Sequence, residues 1–71
     1  MKEWTRIREL KFQDRTVAIE RSNAAMRKWK VVTEKKTGET EAHEHETEKM
    51  AFHDYYNSAK IALTTEAALW E

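Results

Sequence analysis

The side chains of this 71-residue chain best suited to chemistry lie in one biased stretch, Glu41-Ala42-His43-Glu44-His45-Glu46-Thr47-Glu48. His43 and His45 are two apart. On an extended strand that spacing aims both imidazoles the same way, and with a nearby carboxylate the pair could chelate Zn²⁺ or Ni²⁺. On a helix the same two rings diverge by about 200° and the site vanishes. No His-Glu-x-x-His run is present, and no Glu stands three residues before a histidine, so the spacings with which helices build zinc and di-iron centres are missing. The expectation is a hydrated, pH-sensitive surface with no metal and no cofactor.

His53, Asp54 and Ser58 supply the residue types of a hydrolase. On one helix, however, they cannot orient one another as base, orienter and nucleophile. Gly38 is the only glycine and cysteine is absent, which excludes phosphate-cradling loops, thiolate metal sites and a disulfide framework. A non-enzymatic protein is expected.

Charge is sorted by halves. Residues 1–36 carry eleven Lys and Arg against five acids, and residues 37–71 carry two against eight. In the basic half Arg6, Arg8, Arg15, Arg21, Arg27, Lys28 and Lys30 are interleaved with Trp4 and Trp29. That composition suits phosphate contacts combined with stacking on exposed bases. Glu9, Asp14 and Glu20 punctuate the run, so the favoured expectation is that these cations face the acidic half or a second copy of the chain, and nucleic-acid binding stands second. The aromatic residues Trp4, Trp29, Phe52, Tyr55, Tyr56 and Trp70 are of the kind that anchors protein interfaces.

The elements that must position these residues follow from periodicity. Phe52, Tyr56, Ala59, Leu63, Ala67 and Trp70 fall on one face of a wheel with Tyr55 beside them, which predicts a helix over Thr47 to Trp70. The first half supports two readings. As a helix, Trp4, Ile7, Ala18, Ile19, Ala25, Met26, Trp29 and Val32 share a side; as strands, Leu10 with Phe12, Val17 with Ile19, and Trp29 with Val31 and Thr33 alternate at a period of two. The chain has no proline, and a four-stranded meander normally draws on more turn residues than are present. The expected fold is therefore mainly α: two long antiparallel helices in a hairpin. The connecting segment 29–46 is helix or a polar β-hairpin about Lys36-Thr37-Gly38-Glu39. The alternative is an α+β fold, a small antiparallel sheet covered by the C-terminal helix.

At this length one domain spans residues 1–71, its core is marginal, and self-association is a common remedy. No apolar run reaches the roughly 20 residues a membrane span needs, so a cytoplasmic protein without membrane contact is expected. A helical hairpin leaves part of its aromatic seam uncovered. The expected function is accordingly a protein-interaction module that self-associates or binds a protein partner, a small regulator or inhibitor of the kind carried by phage and mobile elements. The runner-up is a small nucleic-acid-binding protein that uses the basic half.

Overall fold

The computed structural model describes residues 3–23 and 28–69. Four strands precede one helix: β1 (Trp4–Lys11), β2 (Arg15–Ser22), β3 (Trp29–Lys35), β4 (Thr40–His45) and α1 (Glu48–Leu69). All strands are antiparallel, and their order across the sheet is the order of the sequence, β1-β2-β3-β4. The fold is α+β, and the helical hairpin expected from composition is wrong. The described residues between Trp4 and Lys35 form three strands. The segment 29–46 does form the β-hairpin foreseen for it, with β4 added to a larger sheet.

The period-two alternation explains the outcome. Val17 and Ile19 on β2 and Val31 on β3 point to one face, where Ile19 pairs with Val31 and Val17 with Thr33. β-branched side chains pack well on such a pleated surface and lose rotamer freedom in a helix. The shortage of turn residues proves no obstacle. The β1–β2 turn closes with the Phe12 amide donating to the Arg15 carbonyl at 2.7 Å. Of the two described turns, the β3–β4 turn uses glycine, and there Gly38 sits at φ +100°. Its amide donates to the Lys35 carbonyl at 2.9 Å, while the Lys35 amide donates to the Glu39 carbonyl at 2.8 Å.

The predicted C-terminal helix is present. Thr47 caps it: its hydroxyl accepts from the Met50 amide at 3.2 Å and its carbonyl from the Ala51 amide at 3.1 Å, which satisfies donors that a helix start leaves free. The buried face is turned from the predicted one, keeping Ala59 and the adjacent Tyr55. Ala51, Tyr55, Ala59 and Ala62 face the sheet, while Tyr56 and Leu63 are exposed. Three alanines let the helix backbone approach the sheet closely, so the contact turns toward them and away from the larger side chains. The core is Val17, Ile19, Val31, Ala51, Tyr55 and Ala62, with Phe12, Trp29 and Phe52 packed around it.

The other face of the sheet has no covering layer among the described residues. Ala18 and Val32 are nonetheless buried there, beside a lattice of longer charged side chains. Arg6 lies at its centre, 2.7 Å from Glu9, 2.9 Å from Glu20 and 3.0 Å from Glu34. Partial burial opposes the charge on Arg6, but its hydrogen bonds to Glu20, Glu34 and Glu9 together outweigh that and raise its pKa. Lys30 adds a contact of 3.5 Å to Glu20 and lies 4.3 Å above the ring of Trp4. No helix among the described residues is long and apolar enough to cross a membrane.

Candidate functional site

Sequential strand order turns the charge split of the sequence into a split in space. β1 carries three cations against one acid and β4 carries two acids with no Lys or Arg. These two strands form opposite edges of the sheet. The helix lies between them on one face, touching β2, β3 and β4. Its two flanks present different chemistry.

The flank toward β1 is aromatic and basic. Phe52, Tyr55 and Tyr56 form a ring cluster: Phe52 meets Tyr55 edge-on at 6.2 Å and Tyr56 at 6.0 Å, and the two tyrosines are 5.4 Å apart. Tyr55 is buried, and that burial, opposed by Arg8, raises its phenol pKa. Tyr56 is 55 % exposed. The guanidinium of Arg8 stands 5.9 Å from the centre of the Phe52 ring. Arg8 pairs with Ile19, and Arg21 lies two positions further along the same neighbouring strand, which places their backbones about 8 Å apart on the helix side of the sheet. Lys28 precedes Trp29, the cross-strand partner of Arg21.

The seven basic residues singled out in the sequence therefore separate. Arg6 and Lys30 belong to the lattice on the opposite face. Arg15 is held by Asp14 at 2.9 Å; the same hydrogen bond lowers the Asp14 pKa and raises that of Arg15. Arg8, Arg21 and Lys28 make no ion pair with any described residue. Arg27 lies outside the described residues. Of the aromatic set, Tyr55 is core, Trp29 and Phe52 are half-buried against it, Trp4 is on the lattice face and Tyr56 is exposed. Trp70 lies outside the described residues. The indole N–H of Trp29 is buried with no hydrogen-bond partner among those residues.

The flank toward β4 gathers the histidine stretch. As strand residues, His43 and His45 both face the helix, and both approach one carboxylate oxygen: His45 Nε2 is 2.8 Å and His43 Nδ1 3.7 Å from Asp54 Oδ2. Ser58 donates to the other oxygen, Asp54 Oδ1, at 3.4 Å. The serine thus bonds a carboxylate and not an imidazole, so the serine–imidazole–carboxylate order of a hydrolase relay is not formed among the described residues. His53, grouped with Asp54 and Ser58 in the sequence, is replaced in that grouping by His45 from the strand. The signal for this was the x-His-x-His spacing; what the sequence could not supply was which acid would face it. No set of three or more His, Asp or Glu side chains forms a ready metal centre among the described residues. A groove of about 700 Å³ over the first turns of the helix is lined by His43, His45, Met50, Phe52, His53 and Tyr56, among others, and so reaches both flanks.

No known protein family, curated protein or solved structure matches the chain. The functional reading rests on this geometry alone.

Proposed function

We propose that the protein binds single-stranded nucleic acid along the β1 flank of the helix. The observation that carries this reading is Arg8, 5.9 Å from the Phe52 ring with Tyr56 beside it, and Arg21 on the same face of the neighbouring strand, two cations without carboxylate partners among the described residues. Unpaired cations are free to neutralise phosphates and release counterions, and an exposed ring offers a stacking surface for an unpaired base. A duplex keeps its bases stacked on one another, so the aromatic part favours a single strand. The acidic β4 edge repels the backbone and confines it to the opposite side. A protein-interaction module is the natural reading of an aromatic seam left half uncovered in a helical hairpin. Here the sheet covers Tyr55 and half-buries Phe52, while Tyr56 and Leu63 stay exposed, so a protein-interaction module is the second reading.

Fluorescence anisotropy with labelled single- and double-stranded oligonucleotides tests the proposal. With two phosphates neutralised by Arg8 and Arg21, log affinity for a single strand falls with log salt at a slope of about −1.4. Arg8→Glu and Arg21→Glu abolish binding at about 50 mM salt, and Tyr56→Ala weakens it by about 1–3 kcal/mol. No binding of either nucleic acid at that salt rejects the proposal, and a solution mass above one chain in the same sample returns the protein-interaction reading.

A further inference from the structure

We infer that His43, His45 and Asp54 form a binding site for a divalent transition metal, Zn²⁺ or Co²⁺, on the β4 flank of the helix. Two imidazoles from one strand and one carboxylate from the facing helix are the donor types such ions take, and three protein ligands leave the fourth position for water. A tetrahedral ion with bonds of about 2.0–2.1 Å holds its donor atoms about 3.3 Å apart. In the structure the two imidazole nitrogens stand 2.8 Å and 3.7 Å from the shared oxygen, Asp54 Oδ2. One separation is about half an ångström short and the other about as much too long, and each deviation has a cause.

The short distance is a hydrogen bond between His45 and Asp54. An ion inserted there displaces the shared proton to solvent and pushes the two groups apart. The long distance belongs to His43, whose side chain is 67 % exposed and has room to swing inward. The three side chains do not form a metal-holding group as they stand; binding requires His45 to give up its hydrogen bond and His43 to swing inward. Asp54 is already oriented as a ligand. The Ser58 hydroxyl bonds its other oxygen and leaves Oδ2 to the imidazoles, the arrangement by which outer partners fix a metal-binding carboxylate. The groove lined by His43, His45 and His53 gives the ion and its water a path from solvent. This site is separate from the β1 flank, and its test does not depend on nucleic-acid binding.

The test uses full-length protein without a histidine tag, stripped with chelator. Calorimetric titration with Zn²⁺ is expected to give one ion per chain at micromolar protein, with a rise in melting temperature as free Zn²⁺ exceeds its Kd. Co²⁺ is expected to give the visible absorption of a four- or five-coordinate ion with nitrogen and oxygen ligands. His43→Ala, at an exposed position, and the isosteric Asp54→Asn each weaken binding at least about tenfold, while His53→Ala leaves it unchanged. Absence of saturable binding in the wild-type protein overturns the inference. So does equal binding by wild type, His43→Ala and Asp54→Asn.

Discussion

Replacing Arg6 by methionine removes one cation and leaves three carboxylates around the place it held. The guanidinium is within 3.0 Å of Glu9, Glu20 and Glu34, and its own side chain is 35 % exposed. Exposed pairs contribute about 0.2–1 kcal/mol each after solvent screening. Glu20, the most buried of the three acids at 15 %, stands near the top of that range, and Glu34 at 46 % near the bottom. Lys30 offsets part of the loss at Glu20. Methionine keeps most of the aliphatic stem, so the charge dominates the change, and the expected loss is about 1–2 kcal/mol. For a domain of this size each kcal/mol lowers Tm by about 4–8 °C.

Urea denaturation followed by circular dichroism measures that loss, and two controls separate charge from packing. The loss is expected to shrink by half or more in about 1 M salt, where the Debye length falls to about 3 Å. Glu34→Gln should destabilise the wild-type protein, where it breaks a pair, and stabilise Arg6→Met, where it relieves repulsion, so the sign of its effect reverses between backgrounds. A loss that is unchanged by salt, or a Glu34→Gln effect of the same sign in both backgrounds, would refute the lattice. Because Arg6 is neutralised by its neighbours, oligonucleotide affinity should be unaffected by the same substitution.

Two further outcomes follow from single positions. At Gly38 an added Cβ meets nothing within 4 Å, yet φ is +100°; Gly38→Ala should therefore cost about 1–2 kcal/mol through the backbone alone, and Gly38→Asn less, as read by urea denaturation. Burial raises the Tyr55 pKa above its ordinary 10.0, so the folded state holds that proton more tightly than the unfolded chain. The sign follows from linkage: this contribution is complete below pH 10 and is lost as pH rises through the folded-state value. Tyr55→Phe should flatten the fall of Tm that begins above pH 10, and an unaltered slope would show that the phenol is not the group responsible.

How far the fold was legible depends on which signal is read. The C-terminal helix was plain because its period persists over six turns and Thr47 stands where a cap is needed. The sheet was visible only in short alternations such as Val17 with Ile19, and composition argued against it. Alanine, glutamate and lysine favour helix only weakly per residue; burial of Val17 and Ile19 at zero exposure is worth about 1.5–3 kcal/mol for each side chain. Tertiary packing therefore overrode local preference. The rotation of the buried face of α1 has the same origin: a wheel weighted by hydrophobic size favours Tyr56 and Leu63, while packing on the sheet selects Ala51 and Ala62 for closeness of approach.

The site was legible in its residue types but not in its partners. The charge split between halves was evident in the sequence, and its meaning depended on topology. In a helical hairpin the basic half lies against the acidic one and the two neutralise each other along their length. In a sheet whose strands follow sequence order, each strand can meet only its neighbours, so β1 and β4 are held apart by the two strands between them. Neutralisation then occurs locally, at Arg6 with Glu20 and Arg15 with Asp14, and whatever is not matched locally remains at the edges. Arg8 is left unmatched at one edge, while at the other His43 and His45 with Asp54 are left facing a groove. Both proposed sites are thus consequences of the same topology, one accepting an anion and the other a cation, on opposite flanks of a single helix.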